Sequence, residues 1–221
     1  MGYFPIFLLT FAITGIVQMW LRNTYNKYMN VPNASGLTGQ ETARAILDAN
    51  GLQSVGVEPV KGMLSDHYDP RSRVVRLSEA NYTRPSVAGM AVAAHEVGHA
   101  IQHAKAYGPL EMRSSLVPVA NIGNRFGMIL IIAGLFLNLA GLGMFGVILF
   151  GGAVLFQLVT LPVEFDASKR ALEQMNRMGL VTQQDSAGAR SVLNAAAMTY
   201  VAAAATSIMW LLYYMSMFRR N

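Results

Sequence analysis

Three long stretches without one charged residue dominate this chain: residues 3–21, 126–163 and 192–218. An α-helix rises 1.5 Å per residue, so about 20 apolar residues cross the hydrocarbon core of a bilayer. The first stretch fits one crossing. The second is about twice that length, and its glycines Gly141, Gly143 and Gly146 suggest a division near residues 138–146 into a helical hairpin. The third fits one crossing, although its alanine-rich first half would also suit a helix packed against protein. Charged residues form 13% of the chain, against about 25% in soluble proteins, and apolar residues 53%. The expected fold is therefore mainly α, a multi-span helical membrane protein. Its apolar parts are an N-terminal transmembrane helix at 1–21, a transmembrane hairpin at 126–163 and a C-terminal transmembrane or membrane-packed helix at 192–221. The first stretch lacks the positively charged leader and small-residue cleavage site of a secretory signal, so it reads as a retained span.

The net charge of +5 is placed where membrane orientation, rather than nucleic acid, would use it. Positive side chains near span ends mark the cytoplasmic side. Arg22 and Lys27 follow the first stretch, Arg113 and Arg125 precede the second, and Lys169, Arg170, Arg177 and Arg190 lie between the second and third. Residues 22–125 and 164–191 are thus expected in the cytoplasm, with the N-terminus outside. Arg219 and Arg220 then fall outside, against the rule. The lack of cysteine excludes disulfides and thiolate metal ligands.

Residues 22–125 carry the signals of a small α+β region. Thr38 and Glu41 have capping-box spacing ahead of a helical stretch at 41–50, and Gly51 stands where a C-terminal cap belongs. Asp69-Pro70-Arg71-Ser72 is a turn signal, and residues 73–77, with Val74 and Val75, read as a strand.

Chemistry enters at His95-Glu96-Val97-Gly98-His99. On a helix, residues four apart stand one turn above each other, so the two imidazoles can share one metal ion. Residues 86–104 are alanine-rich, and Pro85 stands near their first turn, as a helix requires. Glu96 would then sit beside the ion, where it can take a proton from water that zinc has acidified. The bland alternative is a pair of satisfied histidines on a buried helix.

Catalytic zinc usually has three protein ligands and one open position. His103 continues the spacing, but eight residues of helix put it about 12 Å from His95, too far for both to bind one ion. Glu164 is the better candidate. The chain makes one out-and-back hairpin between His99 and Glu164, so both return to the same membrane face. A boundary carboxylate there could otherwise simply be solvated.

These residues give the chain a resemblance to the YugP-type family of bacterial membrane zinc metallopeptidases, also called neutral zinc metallopeptidases. The resemblance covers the first span, residues 66–79, the motif through His103, the hairpin, Val163-Glu164-Phe165-Asp166-Ala167-Ser168 and the region of Thr199-Tyr200. More distantly the chain is similar to HtpX and the CAAX prenyl proteases, whose third zinc ligand opens a Glu-Phe-x-Ala-Asp segment. Glu164-Phe165 matches its start, while the later Asp is Ser168 here. That departure leaves Asp166 or Arg170 as candidates for support of the ligands. The resemblance implies a small cytosolic metalloprotease region, with glutamate as third ligand, in a bacterial cytoplasmic membrane protein. It also implies one Zn2+ per chain, a peptide or membrane-protein substrate, and an edge strand beside the motif helix that holds the substrate backbone. Residues 73–77 are the expected strand. His67 and Tyr200 are the candidates for a donor to the oxyanion. The rival classes are a divalent-metal transporter and a non-catalytic zinc-binding scaffold; Gln102, His103 and Lys105 on the motif helix and only four spans disfavour a transport path.

Overall fold

The computed structural model describes residues 3–218; Arg219 and Arg220, and the orientation conflict they raise, lie outside them. The elements, in chain order, are α1 (Tyr3–Met29), α2 (Gly39–Ala49), β1 (Gly56–Val60), β2 (His67–Asp69), β3 (Val74–Ser78), α3 (Glu79–Thr83), α4 (Val87–Ala104) and α5 (Gly108–Ile122). A π-helical turn (Gly123–Gly127) joins α5 to α6 (Met128–Phe136), followed by α7 (Ala140–Arg177) and α8 (Gln183–Phe218). Four of the described helices are long and apolar enough to cross a membrane: Tyr3–Met29, the composite Gly108–Phe136, Ala140–Arg177 and Gln183–Phe218. Among the described residues the protein is mainly α, with one small sheet.

One compact unit comprises the chain up to Val17, Gly108–Pro162 and the chain from Thr199. Its hairpin turn is Leu137-Asn138-Leu139, ahead of the three glycines. Asn138 takes φ 54°, a left-handed value that asparagine tolerates. The amides of Asn138 and Leu139 donate to the carbonyls of Leu135 and Gly134, which closes α6 with a Schellman motif. Gly143 and Gly146 serve packing instead, whereas a Cβ on Gly141 would meet open space. A Cβ on Gly146 would come within 2.7 Å of the Gly127 carbonyl oxygen and the Ile131 amide. The hairpin arms therefore touch backbone to backbone, the small-residue contact that apolar helices use where lipid offers no hydrophobic drive. Ile131, Val147, Tyr214 and Phe218 are buried here, while Phe136 is 87% exposed and Phe11 69%.

The second unit comprises Gln18–Tyr107 and Val163–Met198. The capping box forms as its spacing predicts: Thr38 Oγ1 accepts from the Glu41 amide, and Glu41 accepts from the Thr38 amide. Gly51 supplies the positive φ at the helix end. The buried face of α2, with Ile46 and Leu47 inaccessible to solvent, packs on the buried face of α4; each such side chain contributes about 1.5–3 kcal/mol. Alanine and glycine dominate α4, which lets its neighbours approach closely.

The sheet corrects one expectation. Its order is β1-β3-β2, with β1 parallel and β2 antiparallel to β3. The strand expected at 73–77 is β3, Val74–Ser78, which is the paired middle strand and cannot receive a peptide by strand addition. β1 and β2 are the edges. Pro59 in β1 lacks a backbone donor, which confines it to such a position. Val75 and Leu77 are fully buried in the core shared with α4. The other face carries Arg76, which pairs with Glu58 at 3.4 Å and Asp69 at 3.2 Å.

Candidate metal centre

The site lies within the second unit, where α4 meets the C-terminal part of α7. Ser86 caps α4 by accepting from the Gly89 amide, and the helix then runs unbroken past both histidines. Gly98, between them in sequence, decides how near α7 can come. A Cβ at this position would stand 2.6 Å from the Ala167 carbonyl oxygen. Ala167 is fully buried against that bare backbone, and Glu164, one turn earlier, is brought onto the histidine face.

Glu164 Oε2 lies 3.3 Å from His95 Nε2 and 3.6 Å from His99 Nε2. The imidazoles stand almost perpendicular, at 85° with centroids 4.8 Å apart. One ligand atom from each of the three residues lies within 4.8 Å of the other two, so this group could hold a metal ion. His99 and Glu164 are buried, and His95 is half-buried.

Each imidazole has a partner at its other nitrogen. His95 Nδ1 is 3.1 Å from Ser168 Oγ, and His99 Nδ1 is 3.0 Å from Gln102 Oε1. Such outer contacts orient metal-binding histidines. Gln102 is fully buried, and its Nε2 donates to the Val163 carbonyl and to Asp166 Oδ2, both at 2.8 Å. Arg170 donates to the same Asp166 oxygen, and its guanidinium lies 5.5 Å over the Tyr107 ring. Asp166 and Arg170 are thus linked to His99 by hydrogen bonds through Gln102. Sequence reasoning named Gln102 only as a feature against a transport path, not as a partner of His99. Its signal was position, three residues beyond His99 on the same helix face. Ser168, set aside as a departure from the family segment, occupies the supporting place beside His95.

Glu96 is buried, only 8% exposed. Burial pushes its carboxyl above the usual range; His95 and His99 oppose that, while Glu164 and Asp66 add to it. Burial alone would lower the His99 pKa, but the Glu164 and Glu96 carboxylates more than offset it and raise the ring above its ordinary value. Asp66 accepts from the Ser78 amide at 2.7 Å and from Asn81 at 3.0 Å, which ties the start of β2 to the end of β3.

His67, one of the two candidate oxyanion donors, is not brought into this cluster. His67 is exposed, pairs with Arg76 in register, and so shares the sheet face turned away from Val75 and Leu77. Its Nδ1 lies against the Ser65 carbonyl at 2.8 Å. Strand alternation sends the next residue the other way: Tyr68 reaches α4, with its hydroxyl 2.9 Å from His103 Nδ1. His103 is exposed. Tyr200 stands half-buried on α8 and belongs to the other unit.

Comparison with known proteins gives the family. A family model described as "putative neutral zinc metallopeptidase" matches residues 3–219. The "putative membrane protease YugP" of Bacillus subtilis (strain 168) is 47% identical over 213 residues, covering 95% of each chain. No solved structure matches.

Proposed function

The chain belongs to the neutral zinc metallopeptidase family, and from that premise we propose that His95, His99 and Glu164 hold one zinc ion while Glu96 serves peptide-bond hydrolysis as general base. The observation that carries the reading is the convergence of three ligand atoms from residues 69 positions apart in sequence. The donor set suits zinc: two imidazoles and a carboxylate, no thiolate, and a partner behind each ring.

When bound, zinc supplies a Lewis acid that polarises the scissile carbonyl and brings the pKa of water toward about 7. Glu96 accepts the proton of the attacking water and passes it to the leaving amine. Its raised pKa suits a group that must hold that proton between the two steps. β2, an unpaired edge beside α4, would add the substrate backbone as a further strand. Substrates are peptides or membrane proteins. The basic residues at the span ends favour a cytoplasmic-membrane protein with four spans and the site facing the cytoplasm, with residues 22–125 and 164–191 on that side.

Glu96→Gln tests the catalytic role. The variant should retain zinc and lose peptide cleavage by about 10²–10⁴-fold, the usual contribution of a general base. Cleavage at the wild-type rate would remove Glu96 from the mechanism and leave a zinc-binding scaffold or transporter as the reading.

A further inference from the structure

We propose that Gln102 is a positioning residue that fixes the tautomer of His99, holding a proton on Nδ1 and leaving Nε2 alone to face the metal. The inference rests on the zinc reading above for its consequence, but its argument rests on hydrogen-bond logic. A glutamine amide has a donating and an accepting end, and neighbours decide which faces where. Gln102 Nε2 meets two acceptors, the Val163 carbonyl and Asp166 Oδ2, each at 2.8 Å. The same Asp166 oxygen also accepts from the Arg170 guanidinium. A turned amide would set an oxygen against these two oxygens in a fully buried place. Such a loss costs about 1–3 kcal/mol for each unsatisfied buried group.

The amide oxygen must therefore face His99 Nδ1, 3.0 Å away, and that nitrogen must donate. Its other nitrogen, Nε2, points at Glu164. His95 is held differently. Its Nδ1 faces the Ser168 hydroxyl, which can either donate or accept and so selects no tautomer. Of the two imidazoles, His99 is prearranged and His95 is adaptable.

The test is a proton–nitrogen spectrum of full-length protein labelled at its four histidines, each assigned by single substitution, with zinc affinity measured by chelator competition on the same samples. Wild type should show His99 protonated at Nδ1 with and without zinc. Gln102→Leu should lose that protonated signal in the metal-free protein and weaken zinc by about 10–100-fold, whereas Ser168→Ala should leave the His99 signal in place. An unprotonated His99 Nδ1 in metal-free wild type would overturn the proposal. So would a Gln102→Leu variant with the wild-type signal and wild-type affinity. If that variant does not fold, the wild-type spectrum decides alone. A wild type that binds no zinc yet keeps the Nδ1 proton would sink the zinc reading and sustain this one.

Discussion

The two units of this chain solve opposite problems with the same residue types. In the membrane-type unit the large side chains face outward, with Phe136 and Phe11 exposed, and the hairpin arms meet through Gly127 and Gly146. In the metal-bearing unit Ile46, Leu47, Val75 and Leu77 are sealed inside, and the polar groups that accompany them are bonded to one another. Glycine appears at a close contact in both, but to different ends. Gly146 lets one span reach another. Gly98 lets a carboxylate reach two histidines. The lesson is that hydropathy reports where a chain meets lipid, while small residues and buried polar groups report where it meets itself.

The largest expected contrast is between Leu77→Ala and Phe136→Ala. The first opens a cavity in the packed unit and should cost about 2–5 kcal/mol. The second trims an exposed side chain and should stay within about 0.5 kcal/mol. Thermal unfolding in one detergent reads both, and equal losses would erase the distinction between the units.

Next come two glycines. Gly98→Val drives side-chain atoms into the Ala167 backbone, and Gly146→Val into that of Gly127. Each should cost about 1–3 kcal/mol through overpacking. Zinc affinity separates them: it should fall sharply in Gly98→Val and hold in Gly146→Val. Equal affinity in both would mean that Gly98 does not set the approach of Glu164.

A smaller, graded effect follows from His99. Its raised pKa means the metal-free ring keeps its second proton to higher pH than free histidine does. In metal-free protein that interaction stabilises the fold fully below the unfolded-state pKa, and the contribution disappears as pH rises through the folded value. Zinc requires the proton to leave, so its affinity should weaken as pH falls through the same range. Titrating zinc affinity across that range checks the sign; affinity that strengthens on acidification would contradict it.

Much of this was legible in the sequence. Uncharged length marked the spans, Thr38 and Glu41 marked the start of α2, and the histidine spacing marked one face of α4. Glu164 could be inferred because a hairpin must return to the side it left. What escaped had physical reasons. β1 carries a proline and β2 has three residues, so neither shows strand periodicity. Residues 73–77 looked like an edge because strand order depends on partners that were not visible. Tyr68 went unnamed beside His67 because only pairing register tells which of two neighbours faces the motif helix. Gln102 and Ser168 are ordinary polar residues whose importance arises only when α7 packs on α4. Gly143 and Gly146 mark a helix contact rather than the turn, since Asn138 could supply the left-handed residue itself.

The most direct measurement is the zinc content of purified full-length protein, wild type beside Glu164→Ala. The account predicts one zinc per wild-type chain, and its loss or severe weakening in the variant. Zinc retained unchanged by Glu164→Ala, or none in the wild type, would contradict the three-residue centre on which the peptidase reading stands.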